Sequence, residues 1–138
     1  MKRKISCLCF CLCVGFIFYN SSLPAVESSN VSEGITYKIY EFLNLNIDFH
    51  TFHVFIRKLA HFTEYFGLGI FAYYAFDFKL TLILCFIVAC FDETIQLFVT
   101  GRSGQISDVF LDSMGSTCCI LLLKIKEKLY DRFNKKEL

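Results

Sequence analysis

Residues 90–116 read CFDETIQLFVTGRSGQISDVFLDSMGS and join the end of one strongly apolar segment to the start of the next. They set Asp92, Glu93, Gln96, Arg102, Asp108 and Asp112 into that apolar setting. Ionisable groups inside a membrane-spanning segment are costly, so their presence suggests a site. A second polar run, Arg57-Lys58-Leu-Ala-His61-Phe-Thr-Glu64-Tyr65, has the same character. The two runs together decide what kind of fold can hold them.

The chain has 138 residues, enough for one domain. It is 55% hydrophobic with a mean hydropathy of +0.51, above the roughly 45–50% apolar content of soluble domains. Charge is pushed between and beyond apolar clusters, the pattern of a small polytopic membrane protein. The net charge of +1 carries no message of its own.

Eight cysteines could suggest a disulfide framework. Their places argue otherwise: Cys7, Cys9, Cys11 and Cys13 fall in the first apolar run, and Cys85, Cys90, Cys118 and Cys119 in later ones. Spacing of two scatters side chains around a helix, so the first four share no face. They read as small apolar residues facing lipid, not as a metal or redox cluster.

The expected fold is all-α with four transmembrane helices, or three if the first is a cleaved signal. Residues 5–23 form the first span or signal anchor, and the retained helix is preferred because further spans follow. Residues 24–56 form an outer loop. Residues 21–33, across the junction of the two, read as polar loop, and residues 31–46 as an amphipathic helix. That helix lies either on the membrane surface or against the bundle's outer end. Asn20-Ser-Ser and Asn30-Val-Ser match short glycan-acceptor patterns that arise easily by chance. Residues 57–125 are a three-helix core, with spans at 59–78, 80–99 and 106–125, each of about twenty residues. Gly101 and Gly104 mark the second turn. Residues 126–138 are a basic tail that continues the last helix.

Lys and Arg bias sets orientation. Lys2, Arg3 and Lys4, the Lys79 turn and the tail (Lys124, Lys126, Lys128, Arg132, Lys135, Lys136) all fall on one side of a four-span chain. Both termini are therefore expected in the cytoplasm, with the turn around Arg102 facing outward.

Helical rise converts sequence into depth: His61, Glu64, Asp92, Glu93, Gln96, Asp108 and Asp112 all lie about 3–12 Å below the outer ends of their spans. Arg57, His61 and Glu64 stand on one stripe by their i, i+4, i+7 spacing. Asp92 shares a face with Gln96, and Asp108 with Asp112. Gly67, Gly69, Gly115 and Ser116 are small enough to let helices close up. Lys58 and Tyr65 read as interfacial anchors. Within this layer Glu64, Asp92, Glu93, Asp108 and Asp112 outnumber Arg57, Lys58 and Arg102 by two. A protonated His61 lowers the excess to one. The remainder calls for a protonated carboxyl, a bound cation or a basic group on a ligand. The plain structural alternative is interhelical glue, with Arg102 and Asp108 pinning a loop.

Taken as a pattern, Arg57-Lys-Leu-Ala-His61-Phe-Thr-Glu64-Tyr-Phe-Gly-Leu-Gly69 followed by Asp92-Glu-Thr-Ile-Gln96-Leu-Phe-Val-Thr-Gly-Arg102-Ser-Gly-Gln-Ile-Ser-Asp108 resembles the VanZ-like family of small bacterial membrane proteins. The resemblance covers residues 57–115; the family's usual proline before the Gly-Arg turn is Thr100 here. It implies a multi-pass protein of the bacterial plasma membrane with a role in the cell envelope. The founding member is associated with reduced susceptibility to the glycopeptide antibiotic teicoplanin.

Two functions of different class follow. In the first, an outward polar cavity binds a membrane lipid, a lipid-linked cell-wall precursor or a glycopeptide antibiotic at the outer leaflet. Arg57, Lys58 and Arg102 would meet phosphate or carboxylate there, and Glu93, Gln96, Asp108 and Asp112 would complete the ligand set. In the second, the chain is an enzyme on a lipid-linked substrate, with His61 or Glu64 as base and Asp92 and Glu93 orienting it or holding a metal. No HExxH, GxSxG or phosphate-loop motif occurs. No cofactor is identified, no residue is assigned as a metal ligand, and nothing points to nucleic acid. Transport would need more room than four short spans offer unless copies of the chain assemble.

Overall fold

The computed structural model describes residues 2–44 and 46–134; for Lys2 and residues 27–31 it describes the backbone alone. The side chains of Asn30 and Val31, and the tail's Lys135 and Lys136, thus lie outside what is described. Among these described residues five helices follow in order: α1 (Lys2–Ser22), α2 (Ala25–Leu43), α3 (Phe49–Ala75), α4 (Phe78–Leu97) and α5 (Ile106–Asn134). Among the described residues there is no strand.

The expected polar loop at residues 21–33 is helical except at Leu23 and Pro24. Pro24, held at φ −53° and ψ 146°, turns the chain, and helix resumes at Ala25. The Ala25 N–H donates to the Thr100 carbonyl at 3.2 Å, so a donor left over at the new helix start is used across the fold. Tertiary anchoring overrides the loop-like composition there. Helix α2 ends at Asn44, whose left-handed φ of 47° closes a C-cap. Asp48 caps α3 by accepting from the Thr51 N–H at 2.9 Å, and Asp77 caps α4 by accepting from Leu80 at 3.1 Å.

Helices α1, α4 and α5 are long and apolar enough to cross a membrane. Helix α3 is longer than α1 and α4 but does not meet that measure, so the expected four crossings are met in composition by three. Its placement explains its polarity. It packs against every other helix, so Arg57, His61 and Glu64 are carried by the one element that all the others contact. Helices α1 and α4 run antiparallel to α3, as Arg3 donating to the Ala75 carbonyl and Tyr65 donating to Asp92 show. Helix α5 runs parallel to α3, with Lys58 opposite Asp108 near their starts and Tyr73 opposite Glu127 near their ends.

The core joins Leu68, Ala72, Cys85, Ala89 and Ile120 to Phe10 and Ile17 of α1. Cys85 and Cys119 are 1% exposed, so these two line the bundle interior and not the lipid as expected. All eight cysteines are free. Small residues let α3 and α5 touch: a Cβ on Gly115 would stand 2.5 Å from the Phe62 carbonyl oxygen, and one on Gly69 would stand 2.9 Å from that of Ser116. Gly67 faces open space and takes no part in this crossing.

Candidate functional site

Three helix ends converge opposite the Arg3 end of the bundle. Helix α3 presents Arg57, Lys58 and His61; α4 ends with Asp92, Glu93 and Gln96; α5 begins with Asp108 and Asp112. The turn carrying Arg102 closes the group. A cleft of about 200 Å³ opens among Arg57, Lys58, His61, Gln96, Arg102 and Asp108, with Val54, Gly101, Ser103 and Gln105 completing its wall.

The polar layer is therefore sorted by charge. Three cations and one carboxylate border the cleft, and that carboxylate is engaged: Lys58 Nζ donates to Asp108 Oδ1 at 2.7 Å. This is the one ion pair among the described residues. Lys58 thus serves the cleft and is not merely an interfacial anchor. Arg102 donates from Nε to the Leu23 carbonyl at 2.9 Å and from Nη2 to the Asn20 carbonyl at 2.8 Å. It does not pin Asp108; it donates to carbonyls at the C-terminal end of α1, where cations are favoured. Burial, and next the Arg57 charge, lower the Arg102 pKa from its usual value, in keeping with a cleft rich in positive charge.

The other acids lie outside this wall. Glu64 accepts from Asn20 Nδ2 at 3.4 Å. Glu93 accepts from the Gln105 N–H at 2.8 Å and from Gln96 Nε2 at 3.1 Å, which ties the end of α4 to the start of α5. Asp92 is fully buried, and its Oδ2 accepts from Tyr65 Oη at 3.2 Å. Asp112 is fully buried and neither of its oxygens has a hydrogen-bond partner; the same holds for Asp92 Oδ1 and His61 Nδ1. His61, Asp92 and Asp112 each offer a donor atom, and these atoms lie within 4.8 Å of one another.

The expected polar layer thus divides in two. Arg57, Lys58, His61, Gln96, Arg102 and Asp108 surround the cleft; Glu64, Asp92, Glu93 and Asp112 do not line it. Tyr65, expected at the interface, is 0% exposed and supports Asp92. Its spacing of four from His61 was the available signal. Gln105 escaped notice, although a residue just before a helix carries an N–H without an intrahelical acceptor. Asn20, at the end of a plain apolar run, stood out only as a glycan-acceptor match and carried no signal of its contact with Glu64.

A family model described as VanZ/LLP1 matches residues 6–127, and the chain belongs to that family. The match extends on both sides of the motif-bearing segment into α1 and most of α5. No curated protein and no solved structure matches the chain.

Proposed function

We propose that this VanZ/LLP1 chain holds the anionic headgroup of a membrane lipid or lipid-linked envelope precursor in the cleft, at the outer face of the bacterial plasma membrane. The carrying observation is the cleft's charge: Arg57, Lys58 and Arg102 surround it, and its one carboxylate is paired with Lys58. Guanidinium groups suit phosphate and carboxylate because their fork can donate two hydrogen bonds at once. The carboxylate of a glycopeptide antibiotic would meet the same cations.

In this reading α3 is a fourth crossing, shielded by its neighbours, and both termini are cytoplasmic. The clustering of Arg3, Lys79 and Lys124 at the bundle end opposite the cleft supports that orientation. Helix α2 leaves Ile35, Phe42 and Leu43 more than half exposed, which suits an interfacial helix with its apolar residues in the acyl boundary. A C-terminal reporter active only outside the cytoplasm would overturn this topology.

Binding is tested by purifying the chain in detergent, adding extracted envelope lipids of the host, and identifying retained species by mass spectrometry. An anionic lipid retained by the native chain and lost from Arg57→Gln supports the reading. Equal retention by both, or no anionic species at all, overturns it.

Catalysis on a lipid-linked substrate is a second reading. It is favoured by His61, which borders the cleft and also lies against Asp92 and Asp112. His61 would act as base and Asp92 would orient it. A change in substrate mass abolished by His61→Ala would select this reading; retained lipid of unchanged mass would reject it.

A further inference from the structure

We propose that His61, Asp92 and Asp112 form a binding site for a single divalent first-row transition-metal ion. The inference does not depend on headgroup binding, since it rests on residues from three helices inside the bundle.

The three donor atoms lie within 4.8 Å of one another, a separation that one ion can bridge. Proximity alone would not make a site. The second observation is the state of Asp112. It is 0% exposed, and both of its oxygens lack a hydrogen-bond partner in the described structure. Buried polar groups are nearly always satisfied, and a buried carboxylate without a partner is among the costliest arrangements a protein can hold. Asp92 Oδ1 and His61 Nδ1 are likewise buried without partners. The open valences of one imidazole and two carboxylates thus converge on one spot.

The surroundings match a ligand cluster. Tyr65 donates to the other oxygen of Asp92, the kind of outer hydrogen bond that orients a ligating carboxylate. Gly115, three residues beyond Asp112, brings α5 against the α3 backbone at Phe62, next to His61. His61 borders the cleft, which gives an ion a way in. No ion pair engages Asp92 or Asp112: the one pair among the described residues, Lys58 with Asp108, lies at the cleft. A divalent ion would offset both aspartate charges.

The donor set narrows the metal. One imidazole with two carboxylates suits Mn²⁺, Fe²⁺ or Zn²⁺ better than Ca²⁺, which prefers six or more oxygens. Three protein ligands would leave coordination positions for water or a ligand atom.

Manganese is the probe, because eight cysteines would capture Zn²⁺ elsewhere in the chain whereas Mn²⁺ favours oxygen and imidazole donors. The full chain, stripped of metal in detergent, is titrated with Mn²⁺ while the free-ion paramagnetic resonance signal is followed. The native chain is expected to take up about one ion, and Asp112→Asn to bind at least about tenfold more weakly. Asp131→Asn, near the C-terminal end of α5 and far from the cluster, should bind as the native chain does. Added Mn²⁺ should also raise the melting temperature of the native chain and leave that of Asp112→Asn unmoved. If Asp112→Asn fails to fold, His61→Gln at the cleft edge replaces it. Failure of the native chain to take up Mn²⁺, or uptake by Asp112→Asn or His61→Gln equal to native, overturns the proposal. Anionic lipid retained without Mn²⁺ uptake would remove the metal site and leave the headgroup reading standing.

Discussion

Arg102 donates through Nε to the carbonyl of Leu23 at 2.9 Å, and so ties the turn between α4 and α5 to the end of α1. The same guanidinium reaches the Asn20 carbonyl at 2.8 Å while bordering the cleft. One side chain thus closes a helix end and sets the cleft's charge, so its loss should be felt in both stability and binding.

Arg102→Ala is expected to lose about 1–3 kcal/mol of stability, two charge-assisted hydrogen bonds discounted for partial exposure. Arg102→Lys should recover only part of this, because an ammonium lacks the planar fork. Thermal unfolding in detergent checks the order native, Lys, Ala.

Gly115→Ala would drive a Cβ to 2.5 Å from the Phe62 carbonyl oxygen and force α3 and α5 apart. A loss of roughly 1–3 kcal/mol is expected from such overpacking. Gly67→Ala meets nothing within 4 Å and should be neutral or stabilising, by up to about 1 kcal/mol of helix propensity. Melting temperatures of the pair separate helix contact from glycine content.

Tyr65→Phe keeps the ring packed but deletes the bond to Asp92 at 3.2 Å. Leaving a fully buried carboxylate with one fewer donor should cost about 1–3 kcal/mol. Equal melting temperatures for the native chain and the variant would show that this hydrogen bond carries no stability.

Asp48 caps α3 outside the membrane-spanning segments. Hydrogen bonds from Thr51, first from its backbone N–H and then from its hydroxyl, hold the Asp48 carboxyl below its usual value. A folded value below the unfolded one gives a contribution fully present above the ordinary pKa near 3.8 and lost as pH falls through the folded value. Protection of the Thr51 amide, taken against its intrinsic exchange rate at each pH, should therefore fall on acidification below that point. Asp48→Asn should keep the cap and remove the pH dependence, and Asp48→Ala should exchange fast throughout.

The positions of α4 and the start of α5 were legible because an apolar run of about twenty residues bounded by Asp77, Gly101 and Gly104 admits few readings. The shared depth of His61, Asp92 and Asp112 was legible too, since rise per residue is a constant of the helix. Helix α2's start at Ala25 was not, because its Ser- and Asn-rich opening resembles loop. The difference is made by contacts to Thr100 and to α3, which no local pattern encodes.

What sequence alone determined, then, is helix, length and depth, quantities that follow from backbone geometry and from the cost of polar groups in an apolar medium. What tertiary structure decided is rotation and partner: that cations turn toward the cleft, that Asp92 and Asp112 turn inward to His61, and that Tyr65 sits beneath them and not at an interface. The rotation of each helix about its own axis is set by how side chains from distant segments pack together, through Gly69 against Ser116 and Gly115 against Phe62, and such pairings exist only once the chain has closed on itself.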